Sequence, residues 1–357
     1  MSAREIWTLG VAAPTRTAAV AERAEAAGWS GLLVVDSQNL SGDPYVSLSM
    51  AATATDRLGL GTGVTNPYTR HAAATACSIA SVQAISKGRA VLGIGRGDSS
   101  LAHLGLAPAS VPVFERYLRR LQGYLRGDEV PFEADDSGDR VASVDALGLD
   151  DQPLSSRIHW LGQGEKKVPV DVAATGPKAI AAAARHAERI TFAVGADETR
   201  LRWAIEVART ARRAAGLDPA DLSFGAYVNI VAHPDVAVAR QLVAGGLATV
   251  ARFAVMHGTP QGPASAEVEE VLRDVHARYD MTRHTQGGSH QTTALTPEFI
   301  DAYGIVGSSA AVIARMQALF ELGLDRLTVL GPSAGTDRTE AATAATRFTQ
   351  EVIPAFA

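Results

Sequence analysis

The fold of this chain is decided by two stretches, Leu58-Gly-Leu-Gly-Thr-Gly-Val-Thr-Asn-Pro67 and Ala90-Val-Leu-Gly-Ile-Gly-Arg-Gly-Asp98. Each is an apolar run with glycines spaced by two, followed by polar residues, and a helix-sized Ala/Ser-rich segment lies between them. Residues two apart share a face of a β-strand, so each strand would present a face without side chains near its carboxyl end. Such glycines are typical either of a slot for a flat ligand or of relief from crowding inside a barrel. The two stretches alone leave both interpretations open.

Alternating strands and helices extend on both sides of these stretches. Apolar runs predict strands at 6–11, 31–36, 58–63, 90–95, 168–173, 189–193, 222–232 and 324–330. Helical patterns lie between them, for example at 15–27, which Gly28 ends. Alternation of this kind favours parallel strands with right-handed crossovers. We therefore predict one α/β domain over 1–357, a (β/α)8 TIM barrel whose site lies at the carboxyl ends of the strands.

Two segments interrupt the alternation. Residues 127–156 are rich in Asp and Glu and contain Pro and Gly, which is typical of a solvated loop or lid. Residues 258–296 contain the polar run Arg283-His-Thr-Gln-Gly-Gly-Ser-His290. We predict that both are insertion segments on the C-terminal face of the barrel and that they shape the substrate pocket.

Composition and charge exclude several classes of protein. The net charge is −5, and no basic stripe with interleaved aromatic residues occurs, so we expect no nucleic-acid partner. The single cysteine, Cys77, fits a reducing cytosol, and we expect a cytoplasmic protein. No uncharged apolar run approaches the length of a membrane span, and the first residues lack an apolar signal core, so we expect no membrane association. His284 and His290 lie six residues apart without a metal-binding pattern, so we expect no metal site.

Polar residues at the predicted strand ends suggest chemistry. Ala173-Ala-Thr-Gly-Pro-Lys178 reads as a strand end followed by a helix start, which suits either a phosphate group or an ordinary helix cap. Asp36 and Asp98 follow the second and fourth strands, where each could accept hydrogen bonds, act as an acid or cap a helix. A dinucleotide-binding glycine motif would need glycine at position 98, so we reject a Rossmann site.

Three of these motifs together resemble the bacterial luciferase-like superfamily. They are Gly63-Val-Thr-Asn-Pro-Tyr-Thr-Arg-His71, Gly88-Arg-Ala-Val-Leu-Gly-Ile-Gly-Arg-Gly-Asp98 and Ala174-Thr-Gly-Pro-Lys178. Within that superfamily the chain is most similar to the methylenetetrahydromethanopterin reductase-like branch, which uses the deazaflavin coenzyme F-420. The resemblance implies a TIM barrel and an F-420 site, and relatives with the same barrel use FMN instead.

The resemblance also implies a set of site residues. It places a non-prolyl cis peptide at Gly63–Val64, behind the middle ring of the cofactor. It implies catalytic roles for Asp98, as a proton donor, and for Arg96, which would orient Asp98 or the substrate. The residues that would contact the cofactor are Asp36, Gly63, Val64, Asn66, Gly97, the phosphate-binding turn Thr175, Gly176, Pro177, Lys178 and Ala179, and the neighbouring loop Ala193, Val194 and Gly195.

Two departures from the superfamily's patterns narrow the choice of substrate. The alcohol and sugar-phosphate dehydrogenases carry a histidine after the acid of the second strand, and this chain has Ser37 there. The methanopterin reductases carry a catalytic glutamate near the end of the first strand, where residues 9–14 of this chain hold no acid. Both departures therefore weigh against assigning to this chain the alcohols and sugar phosphates of the dehydrogenases or the pterin of the reductases.

The sequence therefore predicts an oxidoreductase that transfers a hydride between coenzyme F-420 and a small organic substrate. The first alternative is an FMN-dependent luciferase-like monooxygenase that uses reduced flavin and oxygen. A further alternative is a flavin-binding barrel without enzymatic activity. By analogy with the superfamily we expect a homodimer or a higher homo-oligomer, and a separate flavin or F-420 reductase could supply the reduced cofactor.

Overall fold

The structure is a computed structural model that describes residues 4–133, 142–162 and 166–356. Its strands are β1 (Glu5–Gly10), β2 (Gly31–Val34), β3 (Gly59–Thr62), β4 (Ala90–Ile94), β5 (Val130–Pro131), β6 (Ser155–Ser156), β7 (Val170–Ala174), β8 (Arg189–Phe192), β9 (Ser223–Ala232), β10 (Ile305–Gly307) and β11 (Arg326–Leu330). Its α-helices are α1 (Pro14–Ala26), α2 (Pro44–Ala54), α3 (Ala72–Ile85), α4 (Ser99–Ala102), α5 (Val111–Arg126), α6 (Pro177–His186), α7 (Glu198–Ala214), α8 (Val236–Ala254), α9 (Ala266–Ala277), α10 (Pro297–Tyr303), α11 (Ser309–Glu321) and α12 (Arg338–Arg347).

Eight parallel strands close into a barrel. They follow one another in the order β1, β2, β3, β4, β7, β8, β9 and β11, and β11 pairs back with β1. Helices cover the outside, and many begin with a residue whose side chain accepts hydrogen bonds from the first backbone N–H groups of the helix. Asp43, for example, accepts hydrogen bonds from the backbone N–H groups of Tyr45 and Val46 at the start of α2. The predicted (β/α)8 TIM barrel is confirmed.

Strand β10 is an addition that the sequence pattern does not predict. β9 is ten residues long, so its last residues extend beyond its pairing with β11. β10 pairs in parallel with that extension, with Ile305 opposite Ile230. The extra strand lengthens the barrel wall beside the carboxyl end of β9.

The glycines in and after β3 and β4 test the two interpretations drawn from the sequence. A Cβ atom at Gly59 would lie 2.6 Å from the Trp7 ring, so Gly59 provides space for a side chain inside the barrel. Gly63, Gly95 and Gly97 lie nearer the carboxyl ends of the strands and line a large cavity. A Cβ atom at Gly63 would lie 2.6 Å from Leu9 and one at Gly97 would lie 2.3 Å from Leu101, so relief from crowding explains the glycines at both ends, and those at the carboxyl end also line the cavity.

The barrel interior below the cavity is filled in two ways. Trp7, Leu33 and Val91 form a buried apolar cluster. Toward the amino ends of the strands, Arg326 donates to the Asp171 carboxylate at 2.7 Å, and both side chains are buried. These packed side chains close the barrel below the cavity and form its floor, so the barrel has no pore there.

For the described residues of segment 127–156, which leave out 134–141, the predicted location on the C-terminal face is wrong. The segment follows α5, which runs antiparallel to the strands and carries the chain to their amino ends. There the Gln122 side chain donates to the His186 carbonyl at 2.6 Å, next to the start of β8. β5 and β6 form a small antiparallel pair at that end, and none of the described residues of the segment lines the large cavity.

Segment 258–296 lies on the C-terminal face, as predicted. It contains α9 and short 3-10 turns, and the Gly287 N–H donates to the Ala334 carbonyl at 2.8 Å, close behind β11. Several of its residues between Met281 and Gln286 line the cavity. This segment therefore shapes the pocket.

One described helix, α8, is long and apolar enough to cross a membrane by length and composition. Half of that stretch is buried inside the protein, where it packs against β9. Core helices commonly share this composition, so the helix is explained by its place in the barrel.

Candidate active site

A cavity of about 1250 Å³ opens at the carboxyl ends of the barrel strands. Ligand pockets usually measure about 300–1,000 Å³, so this one has room for a large cofactor and a small substrate together. We call one side the glycine wall, formed by Gly63, Val64, Gly95, Thr175 and Gly176. We call the other side the helix wall, formed by Thr249, Phe253, Met256, Met281 and His284.

The glycine wall begins beside Asp36. The Gly63–Val64 peptide bond is cis, as the resemblance implies. The Thr65 hydroxyl donates to Asp36 Oδ2 at 2.7 Å, and the Gln38 amide donates to Oδ1 at 2.6 Å. Burial raises the pKa of Asp36 above its ordinary value. Asp36 is thus a fixed hydrogen-bonding group at the edge of the cavity.

The glycine wall ends at the amino end of α6. Gly176 caps this helix without a side-chain hydrogen bond, and a Cβ atom there would meet no heavy atom within 4 Å. The next residues in the turn, up to Ala179, line the cavity, as does Ala193. The Thr175 hydroxyl donates to the Ala193 carbonyl at 3.3 Å, which ties the two loops together. Free N–H groups at a helix start suit an anionic group such as a phosphate.

Three of the predicted cofactor residues lie behind the glycine wall and do not line the cavity: Asn66, Val194 and Gly195. Asn66 Oδ1 accepts a hydrogen bond from the Tyr68 N–H at 3.0 Å, so the side chain shapes its own turn. Gly195 has a φ of +79°, and a Cβ atom there would lie 2.9 Å from the Tyr303 ring. These residues fix the loops that carry the wall.

The ion-pair partner of Asp98 is Arg252 on α8. Both side chains are largely buried, with 13% and 15% of their surface exposed, respectively. Arg96 Nε instead donates to the Ala109 carbonyl at 2.5 Å, and burial lowers the pKa of Arg96. Asp98, Arg96 and Gly97 all line the cavity, as expected, but the role of orienting Asp98 falls to Arg252. Sequence reasoning missed Arg252 because it lies 154 residues from Asp98 in the chain.

A second group of hydrogen-bonded polar side chains includes two residues of the helix wall and Tyr279 behind it. The Tyr279 hydroxyl lies 2.7 Å from His284 Nδ1 and 3.1 Å from the Thr249 hydroxyl. The Arg252 guanidinium lies 4.8 Å from the centre of the Tyr279 ring. Burial raises the pKa of Tyr279 to about 12 and lowers the pKa of His284 to about 4. Both groups are therefore neutral near pH 7.

Asn229 is a further cavity residue that the sequence analysis did not single out. It is fully buried near the end of β9, and neither its amide nitrogen nor its amide oxygen has a partner among the described residues. Gly246 on α8 leaves the space for this side chain, because a Cβ atom there would lie 2.5 Å from Asn229 Nδ2. Unpaired buried polar groups are costly, and a group that lines a cavity can be paired by a ligand or by water. The available signal was a lone amide in the apolar run Phe224-Gly-Ala-Tyr-Val-Asn-Ile-Val-Ala232.

Comparison with known proteins places this chain in a family. The family model of luciferase-like monooxygenases matches residues 3–326, most of the chain. The chain belongs to this family. The resemblance drawn from the glycine-rich motifs is thereby confirmed, and the barrel described above is a luciferase-like barrel.

Similar family members include reductases. A 5,10-methylenetetrahydromethanopterin reductase of Methanolobus tindarius is 26% identical over 90% of this chain and 91% of its own length. The same enzyme of Archaeoglobus fulgidus is 28% identical over 88% of this chain and 89% of its own. A solved structure, the coenzyme F-420-dependent tetrahydromethanopterin reductase of Methanopyrus kandleri, superposes with a TM-score of 0.72 at 21% identity and full coverage of both chains. That structural match supports the shared luciferase-like fold.

Proposed function

We propose that this luciferase-like protein is an oxidoreductase that transfers a hydride between coenzyme F-420 and a small organic substrate. The observation that carries the proposal is the uncapped amino end of α6 at the end of the glycine wall, where a Cβ atom at Gly176 would meet no heavy atom within 4 Å. A flat ring with a phosphate-bearing tail matches that shape. Support also comes from the reductase relatives, which span nearly the whole chain.

The residues of the cavity fit such a cofactor. The amino end of α6, with Lys178 beside it, would hold a phosphate. The buried amide of Asn229 offers one donor and one acceptor to a ring edge or a substrate, and Asp36 offers acceptor oxygens at the rim. The bound deazaflavin would supply the hydride chemistry, while the protein provides orientation and excludes water.

We assign proton delivery to the loop after β4. Asp98, a carboxylate paired with Arg252, would accept a proton from solvent and pass it to the substrate heteroatom when the hydride arrives. The Arg252 guanidinium fixes the position of this carboxylate, and Arg96 braces the loop through the Ala109 carbonyl.

The substrate differs in our proposal from those of the named relatives. The end of β1 presents Leu9, Gly10 and Val11 to the cavity and no acid, unlike the pattern of the methanopterin reductases. Ser37 occupies the place of the dehydrogenase histidine and lines the cavity. We therefore propose a small organic substrate and assign no pterin or sugar phosphate.

The second candidate is an FMN-dependent monooxygenase, which the description of the matching family model favours. Oxygen separates the two functions, because a reduced deazaflavin does not readily form the peroxide that oxygenation requires. Oxidation of reduced F-420 by a panel of small acceptors, followed under nitrogen and under air, tests this. We expect acceptor-dependent oxidation that is equal in both atmospheres. Turnover that needs oxygen and reduced FMN would favour the monooxygenase.

We further propose a cytoplasmic homodimer or higher homo-oligomer that receives reduced cofactor from a separate reductase. The exposed apolar side chains of Val46 and Met50 on α2 offer a surface for self-association. Light scattering coupled to size-exclusion chromatography measures the mass directly, and a monomeric mass would contradict this part of the proposal.

A further inference from the structure

Two large apolar side chains are exposed at the mouth of the cavity. Val11 follows β1 and Leu40 follows β2, with 64% and 54% of their surface exposed, and both line the cavity. Their loops are joined, because the Gly42 N–H donates to the Ala12 carbonyl at 2.8 Å. A single exposed leucine is ordinary, but two apolar side chains on joined loops beside a cavity suit an apolar ligand. We call this pair the apolar rim.

From the apolar rim, the apolar lining continues around the barrel to α8. β11 pairs with β1, and Leu330 at its end and Pro332 after it line the cavity. The Ser333 N–H donates to the Leu242 carbonyl of α8 at 2.7 Å, so the loop after β11 adjoins the helix wall. There Phe253 lines the cavity. One side of the cavity therefore offers apolar contacts from its mouth to the helix wall.

The charged side chains of the cavity do not serve the apolar rim. Among the described residues that line the cavity, they are Asp36, Arg96, Asp98 and Lys178. Asp36 directly follows β2, but its carboxylate is buried and already hydrogen-bonded. The other three follow β4 or lie in the first turn of α6. An anionic group on the rim would lose its hydration and meet no cation among these residues on that side.

The strand order separates the apolar rim from the phosphate turn. In the closed barrel of eight strands, β7 lies four positions from β1, and β8 lies four positions from β2. A phosphate at the amino end of α6 and the loop after β8 is therefore on the opposite side of the mouth from Val11 and Leu40. The phosphate-bearing tail of the cofactor would occupy that side and leave the rim to the substrate.

We propose that the substrate is an uncharged molecule with an apolar group, aliphatic or aromatic, that lies on the apolar rim. This inference rests on the proposed function and deepens it, because it names the class of the small organic substrate. Covering Val11 and Leu40 removes apolar surface from water, and the gain in affinity grows with the area covered. These two residues determine specificity and take no part in the chemistry.

A binding experiment without turnover tests the inference. Oxidised F-420 has no hydride to give to a ketone, so ligand-observed NMR can compare 2-butanone, 2-hexanone and 2-octanone at equilibrium with the protein, with and without oxidised F-420. We expect the affinity to rise about twofold per methylene, and so about sixteenfold from 2-butanone to 2-octanone. The equally long 7-oxooctanoate should bind about tenfold more weakly than 2-octanone, because its carboxylate would lose hydration at the rim.

Substitutions at the rim show where the bound chain lies. Val11→Ser and Leu40→Ser should each weaken 2-octanone binding about threefold to fivefold and leave 2-butanone binding unchanged, because the short ketone does not reach the rim. A general loss of structure would weaken both ketones alike. Leu40→Met keeps an apolar side chain and should bind 2-octanone as the wild type does. Leu147→Ser is the matched control, since Leu147 is 68% exposed but does not line the cavity.

The outcomes separate this inference from the proposed function. No binding of 2-octanone, equal affinity for the three ketones, tighter binding of 7-oxooctanoate, or equal 2-octanone binding by wild type and both serine variants would overturn the inference. Loss of self-association in Leu40→Ser with unchanged 2-octanone binding would assign the rim to a second copy of this chain and would also overturn it. Rim-dependent 2-octanone binding by a protein that does not respond to F-420 would support the inference and contradict the proposed function.

Discussion

At the scale of single residues, Asn229 shows a conflict between stability and binding. Its two amide atoms are buried without partners among the described residues, and such groups lower stability unless a ligand or water pairs with them. We predict that Asn229→Leu, which is similar in size, raises the free energy of unfolding by about 1 kcal/mol and weakens F-420 binding about tenfold. Urea denaturation and a fluorescence titration measure the two effects. A variant that is less stable and binds equally well would contradict the role assigned to this amide.

Asp98 carries the proposed proton transfer. We predict that Asp98→Asn lowers turnover at least about tenfold, because an amide cannot accept a proton and pass it to the substrate. The affinity for F-420 should stay within about twofold, since the variant retains the shape of the side chain. Steady-state kinetics and cofactor titration check the two statements, and unchanged turnover would remove Asp98 from the mechanism.

Asp36 makes stability depend on pH. Burial raises its pKa, so the folded protein binds this proton more tightly than the unfolded chain does. Its contribution to stability is therefore lost as the pH rises from the ordinary carboxyl pKa through the raised value. We predict that Asp36→Asn raises the melting temperature relative to wild type at about pH 7 and that the difference shrinks toward about pH 4. The exposed change Asp56→Asn is the control and should show no such trend.

The candidate site was predictable from sequence where it is contiguous in the chain. Gly63–Val64 and Thr175–Ala179 are short motifs that stand directly after strands, so their place at the cavity follows from the barrel. Arg252 and His284 come from a helix end and an insertion far from those motifs. Their pairing with Asp98 and Tyr279 depends on tertiary distances that no local pattern records.

At the scale of elements, the packing of β1 against β3 sets the barrel floor. The Trp7 ring fills the space that Gly59 leaves, and a Cβ atom there would lie 2.6 Å from it. We predict that Gly59→Ala lowers the free energy of unfolding by about 1–3 kcal/mol through overpacking. Gly331→Ala is the matched control, because a Cβ atom at Gly331 would meet nothing within 4 Å. Equal stability of the two variants in urea denaturation would contradict this account of the floor.

The misplacement of segment 127–156 has a geometric cause. Its acidic composition indicated an exposed loop but carried no information about which end of the barrel the loop occupies. The preceding helix, α5, determines that end, because helices of a βα unit run back toward the amino ends of the strands. Segment 258–296 follows α8, whose end already carries Phe253 at the cavity, so the segment begins at the carboxyl face.

At the scale of the whole molecule, the barrel was predictable because alternation is a global property. Eight apolar runs separated by helical patterns allow few parallel arrangements, and closure between β11 and β1 follows from the strand count. The extra strand β10 was not predictable, because it adds to an overhang of β9 whose length only the structure defines. Membership of the luciferase-like family followed from three motifs that the barrel brings to one face.

Binding of coenzyme F-420 at this face of the barrel underlies the proposed function. Separate titrations of the purified protein with F-420 and with FMN, followed by cofactor fluorescence, test it most directly. We predict a saturable change with F-420, weakened in Lys178→Ala at low salt because one charge beside the phosphate turn is lost, and no comparable change with FMN. Tight FMN binding with no response to F-420 would contradict the account.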